Sequence, residues 1–398
     1  MILTERLAEL AVDFGANVQP DQILFVTAEV GHEELVRAIA AHAYRKGARF
    51  VDSWYFDPHV KRARIEHADD DTLDYVPPWY GERMLALGEQ RCARLFVTGS
   101  TEPHLFDDAD PARAGRDLLP RLKETGQIVN DRTTNWSIVP FPNSGWAGVV
   151  HPDLSAEAAL ERLRAEMAHV LRLDEEDPVA AWHERFQRTA RAAEALRERR
   201  FDAIHFEGPG TDLTVGLLPS SRWQNATFST ADGLDHRPNL PSEEVFTTPD
   251  PERAEGVVRA TKPLVFADGS VVRGLTVRFE GGRAVEIDAD EGAANLRTRC
   301  EKDEGALRLG EVALVDREGR IGRLDTVFFD TLIDENAASH IALGNGFSFG
   351  VDDEADLARV NESAIHVDFM IGGDDVDVTG ITREGAHVPV LRQGAWQI

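Results

Sequence analysis

TERLAELAVDFGANVQPDQILFVTAEVGHEELVRAIAAHAYRKGARFVDSWY, residues 4–55, is the stretch from which the fold can be read. Thr4 to Ala16 carries apolar residues at helical spacing, and Gln22 to Ala28 (QILFVTA) is a short apolar run of strand length. Glu33 to Lys46 is helical again and stops at Gly47, as helices do when a glycine can take the left-handed position. Arg49 to Tyr55 and Ala93 to Thr98 (ARLFVT) read as further strands. Strands separated by helices of this length imply a mostly parallel sheet covered on both faces, an α/β domain. Neither GxGxxG nor GxxxxGK[ST] opens any of these helices, so nothing supports a nucleotide-binding reading.

Further along, Ala156 to Arg200 is charged, alanine-rich and helical in spacing, with a break at Asp174 to Pro178 (DEEDP). Two helices that close the first domain or bridge to the second are expected there. From about Phe201 the texture changes to short β-rich runs (LTVGLL, GLTVRFEGG, VALV, DTVFFDTL, AIHVDFMIGG) separated by Gly, Asp and Pro. The expected organisation is an α/β domain over 1–195, including the bridging helices, followed by an α+β, sheet-rich domain over 200–398. A chain of 398 residues accommodates two domains of that size.

The formal net charge is -27, from 70 acidic and 43 basic residues, a field that repels phosphate backbones and excludes nucleic acid as a partner class. Only Lys46, Lys61, Lys123, Lys262 and Lys302 are lysine. An acidic, lysine-poor surface suits a protein kept soluble in concentrated salt, so a halophilic habitat is expected. Cys92 and Cys300 lie in unrelated contexts and form neither a disulfide framework nor a thiolate metal cluster. The first residues lack the basic and apolar regions of a signal peptide, and no apolar run is long enough to span a bilayer. The cytoplasm is the expected address, without a membrane partner.

Metal-type ligands concentrate in four segments of the second half. In Ile365 to Ile371 (IHVDFMI), strand alternation sends His366 and Asp368 to one face while Val367 and Phe369 face a core. An imidazole and a carboxylate buried together need a partner; a divalent cation is one, and a simple hydrogen-bonded pair is another. In Asp330 to His340 (DTLIDENAASH), a strand VFFDTLI is expected to run into a polar turn displaying Glu335 and His340. The competing reading is a capping cluster with Asp334 or Asn336 as the cap. Glu243 and Glu244 in LPSEEVFT, and Glu311 in LGEVALV, each sit beside an apolar run, where an isolated glutamate is ordinarily a surface residue. Together, three glutamates, one aspartate and two histidines supply enough oxygen and nitrogen donors for two divalent ions with a bridging carboxylate.

These segments, read in order, resemble the thermophilic metallo-aminopeptidases of peptidase family M29. The resemblance covers essentially the whole chain: WSIVPFP (136–142), GPGTDLTVGL (208–217), NLPSEEVFTTP (239–249), the LGEVALV run, FFDTLIDENAASHIALG (328–344) and HVDFMIG (366–372). It implies an aminopeptidase acting on short peptides through two divalent ions (zinc, cobalt or manganese), and a homodimer. Carried over by segment, it implies Glu244, Glu311, Glu335, His340, His366 and Asp368 as ligands, with Glu311 bridging and Asp368 shared. Glu243, beside a ligand, is the candidate general base, although a strand neighbour points to the opposite face. One departure is Phe347, where the family resemblance leads one to expect a tyrosine; phenylalanine donates no hydrogen bond. That departure keeps a catalytically impaired binding protein in view. His340, His366 and Asp368 alone would also make the facial triad of a mononuclear non-haem iron dioxygenase, though the remaining glutamates then have no role.

Overall fold

The computed structural model describes residues 2–398 apart from 115, 118, 120, 121 and 267–269. The chain divides into two compact units: the first runs to Trp182 and includes Thr227–Pro241, and the second comprises His183–Ala226 and Ser242–Ile398.

In the first unit, β1 (Ile23–Glu29), β2 (Phe50–Phe56), β3 (Ala93–Thr98) and β4 (Trp136–Pro140) form one sheet in the order β2-β1-β3-β4. Every pairing is parallel, as the helix–strand alternation implies. The central strand β1 buries five consecutive residues, which explains why it reads as a continuous apolar run. The helix Glu33–Arg45 buries Leu35, Val36, Ile39 and Ala43, and the chain turns out of it at Gly47 with φ +94°. The N-terminal helix Ile2–Leu10 continues through a wider turn, Ala11–Gly15. Gly15 permits a close approach there, since a Cβ would lie 2.9 Å from Ser137 Oγ on β4.

The division is not the single cut expected between 195 and 200. The helix Pro178–Arg199 belongs to both units: Trp182 is fully buried in the first, whereas Ala192, Ala193 and Leu196 belong to the core of the second. The chain then returns to the first unit because β4 is an edge strand with unsatisfied backbone groups. Ile138 N donates to Pro238 O (2.7 Å) and Leu240 N to Ile138 O (3.1 Å), so residues 238–240 cover that edge.

The second unit stacks two sheets on one core. An antiparallel eight-stranded sheet runs, from edge to edge, through Arg283–Asp288, Thr276–Glu280, Pro249–Arg259, Thr211–Leu217, Ala203–Gly208, Asp377–Ile381, His387–Arg392 and Ala395–Trp396. An antiparallel five-stranded sheet runs through His366–Met370, His340–Gly344, Leu309–Val315, Glu244–Thr247 and Gln224–Asn225. Their shared core includes Phe206, Leu213, Val215, Val258 and Phe279 from the first, and Val245, Val312, Leu314, Ile341, Leu343, Val367 and Phe369 from the second. This is the expected α/β domain followed by a sheet-rich α+β domain. No described helix is long and apolar enough to cross a membrane.

One expected strand is absent. Residues 325–329 of DTVFFDTL are irregular, and Thr331–Asp334 is a short helix followed by a tight turn at Glu335–Ala337. Local side chains take the backbone hydrogen bonds a ladder would have used. Asp334 accepts from Phe328 N (2.8 Å) and Asp330 N (3.2 Å), Asp330 caps Ile333 N, and Phe329 adopts φ +55°. The cap is Asp330, neither Asp334 nor Asn336.

Candidate metal centre

Strand alternation builds the site. In the five-stranded sheet, Val245, Val312, Leu314, Ile341, Leu343, Val367 and Phe369 point into the core, so their neighbours Glu244, Glu311, Ala313, His340, Ala342, His366 and Asp368 point to the other face. Registration then brings the candidate donors together: Ala313 lies opposite His340, Ala342 lies between Glu311 and Asp368, and Gly344 lies opposite His366. The small residues interleaved with the polar ones leave room between them.

Two groups result, Glu244–Glu311–His340 and Glu311–His366–Asp368, each with donor atoms mutually within 4.8 Å. Glu311 belongs to both. His340 Nε2 lies 3.1 Å from Glu244 Oε2, and His366 Nε2 lies 3.1 Å from Glu311 Oε2 and 3.3 Å from Asp368 Oδ2. The other ring nitrogens face carbonyl oxygens, which only accept: His340 Nδ1 donates to Ala338 O (3.1 Å) and His366 Nδ1 to Asn345 O (2.7 Å). Neutral rings therefore present bare Nε2 lone pairs to carboxylates, a repulsive arrangement that a proton or a cation must relieve. Asp368 Oδ1 is buried without a hydrogen bond among the described residues, whereas the buried Glu244 Oε2 has the His340 ring nitrogen beside it.

Proton affinities report the same surplus of negative charge. Burial pulls the His340 imidazole down, but Glu244, Asp368 and Glu311 outweigh it and raise it to about 10. His366 is raised well above its ordinary value, with burial opposed by Asp368 and Glu311. Burial, offset in part by His366, pushes Glu311 up to about 7. Glu335, from the turn before the His340 strand, is raised well above the carboxylate range by burial and by Asp368 and Glu244. Asp368 is lowered, because His366 and His340 overcome its burial. Glu335 lies in neither three-residue group, yet it shares their field. The donor set, the orphaned Asp368 oxygen and the oriented imidazoles fit divalent cations.

Glu243 does not join this face. Its carboxylate pairs with Arg185, and its backbone carbonyl accepts from Arg185 Nη2 (2.9 Å). Arg185 Nη1 also grips both oxygens of Asp316, at 2.9 and 3.0 Å. The carboxylate expected to act as general base is thus engaged by a buried guanidinium and turned away from the ligand face, as strand alternation implies. No signal in the sequence marks Arg185, one arginine of a charged helix. Phe347 packs directly on the site, its ring centroid 5.0 Å from that of His366. Phe246, two residues after Glu244 and thus on the same face, escaped notice although its spacing could have revealed it.

The model of the family described as Thermophilic metalloprotease (M29) matches residues 3–396. Aminopeptidase T of Thermus aquaticus is 43% identical over 402 residues, covering 99% of this chain and 98% of that one. The solved structure of wild-type AmpT from Thermus thermophilus superposes with a TM-score of 0.92 at 41% identity, covering 100% of this chain and 99% of the other. A 2,5-dihydroxypyridine dioxygenase from Pseudomonas putida also superposes, with a TM-score of 0.54 over 99% of this chain and 96% of its own. At 15% identity that likeness is one of fold alone.

Proposed function

The chain belongs to the thermophilic metalloprotease family M29 and is a metallo-aminopeptidase, and from that premise we propose that it removes N-terminal residues from short peptides at a two-ion centre. The observation that carries the reading is the shared carboxylate: two triads of donors meet at Glu311 on one sheet face. In this reading Glu244, Glu311 and His340 hold one divalent ion, Glu311, His366 and Asp368 hold the other, and Glu335 adds a further ligand. Bound there, the ions would supply Lewis acidity, lowering the pKa of water and polarising a carbonyl. The protein's own contribution is positional. Ala338 O and Asn345 O fix the two imidazoles with Nε2 inward, and the surrounding carboxylates attract the ammonium terminus of a peptide. With Glu243 held by Arg185, proton transfer falls to a carboxylate of the ligand face.

The test is elemental analysis of the purified protein combined with amino-acid release from a panel of short peptides. Two equivalents of divalent metal and release of single N-terminal residues are expected. One equivalent of iron without peptidase activity would overturn the reading in favour of an oxygenase, and no metal with no turnover in favour of a binding protein.

A further inference from the structure

Three phenylalanines stand on the ligand face with no part in metal binding. Phe246 is 5% exposed, Phe347 is half-buried and Phe349 is 43% exposed, so the group runs from the core towards solvent. Phe347 and Phe349 stack with centroids 5.0 Å apart and planes at 17°, and the edge of Phe246 meets both at 6.0 and 6.3 Å. The inner end touches the site, with Phe347 5.0 Å from the ring of His366.

The wall is held by backbone and does not depend on the aromatic contacts alone. Thr248 Oγ1 donates to Phe347 O (2.8 Å) and accepts from Phe347 N (3.3 Å). At Gly350 a Cβ would come within 2.4 Å of Thr248 Oγ1, so the turn closes against the Glu244–Thr247 strand only because that residue is glycine. A ligand side chain laid on the outer ring would remove apolar surface from water beside the charged cluster.

We propose that Phe246, Phe347 and Phe349 form the subsite for the side chain of the substrate's N-terminal residue, and that this residue is large and apolar: Leu, Met or Phe. The inference rests on the aminopeptidase reading. In that reaction the α-amine and the first carbonyl both lie at the ligand cluster, so the first side chain leaves from an atom within reach of a ring 5.0 Å from His366. An apolar wall rewards buried hydrocarbon, and the carboxylates of the same face repel an acidic side chain. Phe347, which cannot donate a hydrogen bond, is here a packing residue.

The experiment uses the full-length, metal-loaded enzyme with dipeptides X-Gly, X being Phe, Leu, Ala, Ser or Asp. Expected is a kcat/KM higher by about 10- to 100-fold for Phe and Leu than for Ala, with Asp lowest. Phe349→Ala should lose about tenfold on Phe-Gly, mostly in KM, with a loss under about threefold on Ala-Gly, and Phe349→Leu should recover part of it. Calorimetric titration with L-phenylalaninol and L-alaninol supplies a readout free of turnover; the first should bind more tightly, and Phe349→Ala should erase the difference. Equal kcat/KM across the panel, or a Phe349→Ala loss uniform over all X, would overturn the subsite. A preference that follows the second residue, tested with Gly-X, would overturn it as well. Failure of the wild-type enzyme to cleave any peptide would instead overturn the aminopeptidase reading.

Discussion

Replacing Arg185 with methionine removes a cation from a site that water does not reach. The side chains of Arg185, Glu243 and Asp316 are exposed by 4, 0 and 1%, so two buried carboxylates would each lose a guanidinium partner. Asp316 retains hydrogen bonds from Trp396 Nε1 to one oxygen (2.6 Å) and from Glu318 N to the other (2.9 Å), but neither supplies a formal charge. Removing one partner from a buried ion pair costs about 3 to 5 kcal/mol. In a unit of this size that corresponds to a fall of roughly 6 to 20 °C in the melting temperature. Arg185 also ties the carbonyl of Glu243, the residue before Glu244, to Asp316, the residue after the Leu309–Val315 strand. The ion at the Glu244 group should therefore be lost more readily than its neighbour. The assay is calorimetric unfolding together with metal content after dialysis. The control is the triple variant Arg185→Met, Glu243→Leu, Asp316→Leu, which replaces all three charges with hydrocarbon and should recover much of the loss. A single variant within about 1 kcal/mol of wild type, a cost expected of an exposed pair, would refute the reasoning. A triple variant less stable than the single would do the same.

Exhaustive chelation should abolish peptide hydrolysis and lower the melting temperature, because Glu244, Glu311, Glu335 and Asp368 then repel each other in a buried site; at 100 times its Kd each ion stabilises by about 2.7 kcal/mol. Unchanged melting and turnover in protein shown to be metal-free would contradict it. Asp368→Ala should remove a ligand and most of the catalysis, whereas Val367→Ala, which trims the core face of the same strand, should cost on the order of 1 to 3 kcal/mol of stability and spare turnover. Near-normal metal content and turnover in Asp368→Ala would assign the strand a purely structural role. His236 is buried between Trp136 and Phe228, and that burial lowers its pKa to about 4 from an ordinary 6.5. The unfolded chain therefore binds the extra proton between pH 6.5 and 4, so stability falls as pH falls through that window, by up to about 3 kcal/mol. Chemical denaturation at a series of pH values should show that slope in the wild type and a flatter one in His236→Phe; parallel slopes would exclude His236 as the source.

How much of this was legible in the sequence depended on whether a feature was local or tertiary. Residues 4–55 disclosed the parallel sheet because each element carried its own period and its own stop, with Gly47 ending the Glu33–Arg45 helix. The pairing of His366 with Asp368 was legible for the same reason, being an i, i+2 relation inside one strand. The stretch at Phe328 misled because its hydrophobicity suits a strand, while the side chains of Asp330 and Asp334 capture the backbone groups a strand would need. That competition is invisible to a count of apolar residues. The two-unit division escaped a linear cut because the Pro178–Arg199 helix serves two cores and residues 238–240 return to cover the edge of β4.

The site itself lies one step further from the sequence, since no single strand contains it. Its assembly depends on register: Val312 opposite Ile341 and Ile341 opposite Phe369 in the core are what bring Ala313 opposite His340 and Ala342 opposite Asp368 on the other face. A slip of one residue in any of these strands would turn its ligands into the core and its Val, Ile or Phe outward, burying a charge and exposing hydrocarbon at once. The hydrophobic half of the sheet thus sets the geometry of these donors. The irregularity between Leu309 and Glu311 belongs to the same selection, because the extra residue, Gly310, shifts the pairing so that Glu311 rather than its neighbour faces the two imidazoles. At Gly310 a Cβ would approach Gly344 O to 2.4 Å and Asn345 O to 2.3 Å, and Asn345 O is the acceptor that orients His366. Core packing, the bulge and the orientation of the imidazole are therefore one constraint, so changes to the apolar side of these strands should be felt at the ligands.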